Sequence, residues 1–253
     1  MRGNAPSRSL IRVRFSARVE SMKTTPSTPT GRLCYFLAVQ PDSKADSQSA
    51  RSFIEQARRA QIIDAAITTI ADSGYSSASM AQIAKTAGIS RGLISYHFAN
   101  KDELIAQLVI KVYTDAGEYM GARVSTESTP AGQLREYIAS NLDYMAVHPK
   151  GIIALVEIFS SGALANLPGI DASEGEEQSL APVVEVFERG QQLGQFADFN
   201  PRFMAQALRN VIDGVSPHLS DPQLDLEMYK QQIITMFERA TGAQHPSEEV
   251  PET

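Results

Sequence analysis

GYSSASMAQIAKTAGISRGLISYHFANKDEL, residues 74–104, decides how the rest of the chain is read. Ser79 stands where a helix begins. Its hydroxyl can accept a backbone N–H, and Gln82 three residues on can reach back, the S-x-x-Q form of a capping box. A helix is therefore predicted from Met80. Gly88 falls where that helix has to leave the right-handed region, and glycine enters the left-handed one without a Cβ penalty. Ser90 then caps a second helix over about residues 91–98. The turn 87–90 is short and contains glycine, with Ile89 turned inward, so the two helices cross steeply. This is the layout of a helix-turn-helix, and a third helix opens at Asn100 with Glu103 at its third position.

Working outward, Phe53, Ala57, Ala60, Ile63, Ile67 and Ile70 recur at steps of three and four. That is the stripe of an amphipathic helix running from Arg51 to Gly74 and packing behind the pair. Downstream, Leu104, Leu108, Val112 and Met120 carry an apolar face toward Val124, which predicts one long helix joining two domains. Further amphipathic helices are predicted over 130–147, 149–164 and 177–193, with the acidic, Pro/Gly-containing segment 166–178 as a loop. The last two helices are predicted to begin at Pro201 and Pro222, since proline is tolerated in a helix's first turn. The expected fold is all-α: a helix-turn-helix domain over 51–105, a larger helical domain over 106–243, and a flexible tail over 244–253. Residues 1–50 hold Pro26, Pro29, Pro41 and many Ser/Thr without a sustained period, and read as a disordered basic extension. The Arg-rich first 21 residues superficially resemble a transit peptide, but read better as a flexible arm or as an over-extended frame with Met22 as the start.

The 253 residues carry a net charge of −6, unevenly spread. Residues 1–50 hold eight Lys/Arg against three Asp/Glu, residues 51–105 six against five, and residues 106–253 nine against 21. Phosphate attracts cations and repels a strongly acidic remainder, so the chain is polarised toward one DNA-facing end. Its single cysteine, Cys34, excludes an internal disulfide framework and a Cys-based zinc site, and fits a reducing cytoplasm. The longest apolar runs, 33–39 and 151–156, fall far short of the roughly 18 residues that span a bilayer, so membrane insertion is not expected.

Ile83-Ala84, Ala87-Gly88-Ile89-Ser90, Tyr96-His97-Phe98, Lys101 and Leu104 resemble the N-terminal DNA-binding domain of TetR-family transcriptional regulators. The close resemblance covers residues 54–108 and continues beyond them only as an all-helical layout. In a helix-turn-helix the N-terminal residues of the second helix face base edges, while flanking groups fix position through phosphates. Arg91 can donate two hydrogen bonds to a guanine or, equally, bind phosphate. Gly92 permits close backbone approach to DNA or simply fits a tight helix start. Leu93 offers apolar contact, for instance to a thymine methyl. Ser95 departs from the family pattern, where many relatives carry tyrosine. Tyr96 and His97 contact the DNA backbone by resemblance, or else pack and terminate the helix. Lys101, Ser79 and Ser90 fit phosphate positions and are also plain capping-region residues. Phe98 reads as a core anchor.

Catalytic patterns are poorly supported. His97, His148, His218 and His245 occur singly, without metal-ligand spacing, and neither a nucleophile elbow nor a phosphate-binding glycine loop is present. No cofactor, metal site or catalytic residue is expected. In the acidic domain Tyr113, Tyr137, Asn141, Tyr144, Leu155, Phe159, Val184 and Phe187 mix aromatic bulk with polar groups. Such a mix suits a small, largely apolar effector, although each residue taken singly reads as ordinary helical core. The family resemblance is what implies an effector. A homodimer is expected through the last two helices, with Met204, Leu208, Val211, Val215, Tyr229, Ile233 and Phe237 meeting the partner. The expected function is a ligand-responsive repressor on a near-palindromic double-stranded operator. The alternatives are an architectural or activating DNA-binding dimer without an effector, and a small helical hydrolase.

Overall fold

The computed structural model describes residues 46–219 and 221–242. The expectations for residues 1–45 and for the tail 244–253 lie outside them. The described residues form helices α1 (Asp46–Ser73), α2 (Met80–Ala87), α3 (Arg91–His97), α4 (Lys101–Val124), α5 (Pro130–Val147), α6 (Pro149–Ser160), α7 (Ala172–Gln192), α8 (Pro201–Asp213) and α9 (Leu226–Thr241), with short 3-10 turns at Ala163–Asn166 and Ser216–His218. The caps explain most of these boundaries. Ser79, Ser90, Asn100, Thr129, Asn200 and Asp225 each accept the backbone N–H three residues on. Gly88 closes α2 at φ 67°, and Ile89 N–H reaches back to Ala84 O at 3.0 Å. A Cβ at Gly88 would meet nothing within 4 Å, so backbone conformation alone demands glycine there.

Burial divides the helices between two cores. Ile62, Ile70, Ile83, Ile94, Phe98, Leu104 and Leu108 build the first, from α1 to the first half of α4, and α6 joins it through Ala154, Leu155 and Ile158. Leu134, Ile138, Leu142, Phe187, Leu208, Ile212 and Phe237 build the second, from α5, α7, α8 and α9. Helix α4 belongs to both, since Val112 lies in the first and Val124 in the second. Its 24 residues make a rod of about 36 Å.

Several expectations need correction. Helix α1 begins at Asp46 rather than Arg51, and its packed stripe starts at Ile62 because Phe53 is 72 % exposed. The boundary at residue 105 runs through the first core, which extends to Val112 and recruits α6. Helix α6 stops at Ser160, short of residue 164. The supposed loop 166–178 is helical from Ala172, because Asp171 Oδ1 accepts from Ser173 and Glu174 N–H at 2.9 and 3.2 Å. The hydrogen bond from the Ser173 hydroxyl, then those backbone bonds, hold the Asp171 carboxyl below its usual range. Helix α9 starts at Leu226, not Pro222, because Asp225 supplies the cap.

Candidate nucleic-acid interface

Helix α3 has two opposite faces. Arg91, Gly92, Ser95 and Tyr96 are exposed, Tyr96 at 74 %, while Ile94 and Phe98 at the helix end are almost wholly buried. The i to i+4 spacing of Arg91 with Ser95 and of Gly92 with Tyr96 places these four side by side. The Ser95 hydroxyl donates to Arg91 O at 3.2 Å, which ties it to its own helix. Ser79 and Ser90 are exposed at the starts of α2 and α3, their Oγ atoms accepting from Gln82 and Leu93 N–H at 3.2 Å. Leu93 is half-buried. A Cβ at Gly92 would come no nearer than 3.9 Å to Ser90 Oγ, so nothing within the chain requires glycine there.

The structure corrects His97. The residue is 9 % exposed, and its ring stands edge-on to Tyr96 with centroids 5.0 Å apart and leaves Nδ1 buried without a partner among the described residues. Its side chain supports α3 from beneath rather than reaching the exposed face. Lys101 is half-buried, with Nζ donating to Tyr75 O at 2.8 Å and sitting 3.9 Å from the Tyr75 ring centroid. Burial lowers its pKa, and Asp102 opposes that.

The sequence did not reveal the residues that hold α3 in place. Arg59 of α1 lies 4.1 Å from the Phe98 ring centroid, donates to His97 O, and pairs with Glu103 Oε1 at 3.5 Å. Glu103 Oε2 in turn accepts Ala99 N–H at 2.8 Å, so one cation and one carboxylate fasten the α3–α4 turn to α1. Gln61 Nε2 donates to Ala87 O at 3.0 Å and braces the α2–α3 turn at the other end of α3. Tyr75 links to the acidic domain, its N–H donating to Glu157 Oε2 of α6 at 3.2 Å. Apart from Glu103 with Ala99, these partners lie 26 to 82 positions apart, beyond the reach of any local spacing rule.

The eight residues proposed for an effector do not gather at one place. Leu155 packs in the first core and Phe159 is exposed on α6, so neither faces the second core. Val184 and Phe187 lie in the second core, where Phe187 meets Phe196 and Phe199 at centroid distances of 6.0 and 5.4 Å. Tyr144 donates to Val112 O at 3.3 Å and stacks on His148 at 4.5 Å. It borders an open cleft of about 440 Å³ with Asp64, Lys111, Asp115 and Lys150. Tyr113 and Tyr137 flank Arg209 of α8, which sequence reasoning passed over, and Asn141 lies one turn beyond Tyr137.

The dimer stripe also divides. Leu208, Val215, Ile233 and Phe237 are buried in the second core of their own protomer and are not available to a partner. Met204, Val211 and Tyr229 are half-buried beside it. The exposed apolar side chains on α8 and α9 are instead Phe203, at 73 %, Met228 and Met236. Among the described residues no group of three or more metal-ligating side chains gathers, and no helix is long and apolar enough to cross a membrane.

A sequence profile described as "Bacterial regulatory proteins, tetR family" matches residues 62–108, the span from α1 to the first half of α4. The HTH-type transcriptional regulator BetI of Cronobacter sakazakii is 27 % identical over 199 residues, covering 76 % of this chain and 96 % of that one. BetI of Paraburkholderia phymatum is 34 % identical over 95 residues, covering 37 % of this chain and 48 % of that one, so this stronger likeness spans about half of the relative. Among solved structures, the fatty acid degradation regulator FadR of Bacillus halodurans superposes with a TM-score of 0.64 at 22 % identity, over 74 % of this chain and 97 % of its own. A complex of AibR with isovaleryl coenzyme A and operator DNA does so with a TM-score of 0.60 at 18 % identity, over 71 % and 97 %. With a capped helix-turn-helix held on a two-core helical frame, residues 62–108 form a TetR-family DNA-binding domain, and about three quarters of the chain is similar in sequence to BetI and in fold to FadR.

Proposed function

We propose that this regulator is a homodimeric repressor that reads a near-palindromic operator and releases it when a small molecule binds among the helices of the acidic domain. The observation that carries this reading is the division of α3 into an exposed face, Arg91, Gly92, Ser95 and Tyr96, and a buried one clamped to α1 and α4. Arg91 reads base edges, and Ser79, Ser90, Tyr96 and Lys101 hold the phosphates on either side. One short helix contacts too few base pairs for selective binding, and a two-fold dimer supplies the second half-site. Phe203, Met228 and Met236 offer the apolar surface for that dimer on the outer side of α8 and α9.

Release follows from connectivity. Helix α4 starts beside the reading head, at Lys101, and passes Tyr113, which touches α8 through Arg209. Two recognition helices must sit about 34–36 Å apart, or a multiple of it, to enter successive grooves. A ligand that favours a displaced α4 therefore favours the DNA-free state, and by linkage operator DNA weakens that ligand's binding by the same factor. AibR has been described with an acyl coenzyme A and operator DNA, which supports a ligand-responsive reading here.

The test is a footprint over the DNA flanking the gene. Wild-type protein is expected to protect a two-fold site, and Arg91→Ala to lose about 1–3 kcal/mol there while keeping its affinity for random DNA. Equal losses on both DNAs would make Arg91 a phosphate contact. A monomer in sedimentation with operator binding intact would refute the dimer.

A further inference from the structure

Arg209 is a cation on α8 whose side chain is 23 % exposed, on the border of the second core. Its Nε donates to Asp213 Oδ2 at 2.9 Å, and the hydroxyls of Tyr113 on α4 and Tyr137 on α5 lie within hydrogen-bonding reach of the same guanidinium. Arginine only donates, so both phenols accept from it and their own O–H protons are directed elsewhere. Burial raises both phenols above their ordinary range, so they keep those protons at neutral pH.

Two further groups nearby are unsatisfied. Asn141 is one turn from Tyr137 on the same face of α5, and is 8 % exposed with a buried Nδ2 that donates to nothing in the described residues. Gln206, one turn before Arg209 on α8, buries Oε1 without a donor. A fold leaves few such groups unpaired, because each forfeits its bonds to water without replacement. Around Arg209 the donors are a guanidinium, two phenol hydroxyls and, one turn along α5, the Asn141 NH2, against the Asp213 carboxylate and the open Gln206 Oε1 as acceptors.

We infer that Arg209, Tyr113, Tyr137 and Asn141 form a carboxylate-binding subsite, which holds the anionic end of a small ligand whose apolar body lies against the second core. The inference rests on the ligand-responsive reading above and names the chemistry of its effector. The planar guanidinium matches a carboxylate with two parallel hydrogen bonds. Asp213 takes the Nε hydrogen bond of that fork at 2.9 Å, and its side chain is 54 % exposed, so it can turn to solvent when another carboxylate arrives. Tyr113 places the subsite in contact with α4, the helix that carries Lys101 to the reading head.

The experiment uses the full chain, titrated calorimetrically and by thermal unfolding with octanoate and benzoate, with octan-1-ol and octylamine as neutral and cationic controls. At least one carboxylate is expected to bind and to raise Tm, while the controls at equal concentration do not. Arg209→Gln is expected to weaken carboxylate binding roughly tenfold or more. Asp213→Asn, at an exposed position, is expected to strengthen it by removing the internal competitor. A merely structural ion pair predicts no such gain. The inference is overturned if neither carboxylate binds, if the controls bind as well, if Arg209→Gln retains full affinity with native circular dichroism, or if Asp213→Asn brings no increase. The same preparations are footprinted on operator DNA. Protein that protects a two-fold site but binds no carboxylate refutes the subsite alone, whereas protein with no sequence-selective footprint refutes the regulatory reading.

Discussion

Arg59→Ala removes the clamp on the recognition helix without touching any group expected to meet DNA. The wild-type guanidinium makes three interactions. It sits 4.1 Å from the Phe98 ring centroid, worth about 0.5–1 kcal/mol at a partly exposed site. Its charge-assisted hydrogen bond to His97 O contributes about 1.5 kcal/mol. The pair with Glu103 at 3.5 Å, its side chains 32 % and 36 % exposed, adds at most a few tenths after solvent screening. One side chain supplies all three, so they do not add fully, and about 2 kcal/mol is expected to be lost. Glu103 keeps Ala99 N–H as a partner, so no buried carboxylate is stranded. For a chain of this size that loss lowers Tm by roughly 4–8 °C. Operator affinity should fall because α3 must be ordered on binding, yet the slope of log affinity against log salt should stay unchanged, since no phosphate contact is lost. Thermal unfolding and operator titrations at several salt concentrations measure both. A slope reduced by about one would show that Arg59 neutralises a phosphate, and an unchanged Tm would show that the clamp does not stabilise the head.

Lys101→Ala is the counterpart. It should weaken binding to all DNA sequences and flatten the salt slope by about one, and a loss confined to the operator would contradict the phosphate assignment. Gly190→Ala should destabilise the second core by about 2 kcal/mol or more, because its Cβ would lie 2.0, 2.3 and 2.8 Å from Cδ2, Cε2 and Cγ of Phe196; a wild-type Tm would refute that packing. Four of the eight tyrosines should ionise late in an alkaline titration followed by phenolate absorbance. Burial raises Tyr75, Tyr113, Tyr137 and Tyr144, with Tyr144 pushed up to about 12 by burial and then by Asp115. The folded chain holds these protons more tightly than the unfolded one. Their stabilising contribution is therefore complete below pH 10 and is lost as pH rises through the folded values. Ionisation of all eight together near pH 10 without unfolding would refute their burial.

The sequence by itself determined the local architecture of the reading head. Ser79, Ser90, Asn100 and Gly88 act on backbone groups three to five residues away, and such contacts are legible because spacing along the chain is spacing in space. It also determined the run of amphipathic helices and Phe98 as a core anchor at the end of the recognition helix. It misplaced the starts of α7 and α9, where Asp171 and Asp225 cap more effectively than proline or an acidic stretch predicts. Tertiary structure alone decided which core each stripe serves. An apolar stripe on α8 or α9 fits a partner's surface and the protomer's own core equally well until the neighbouring helices take their places, and packing then consumed Leu208, Ile233 and Phe237. The same holds for the charged residues that matter most. Arg59 and Arg209 sit among ordinary helix-surface residues in sequence, and gain their roles only when Phe98 and Glu103, or Tyr113 and Tyr137, are brought to them from distant helices, because ion pairs and stacking act through space and carry no period along the chain.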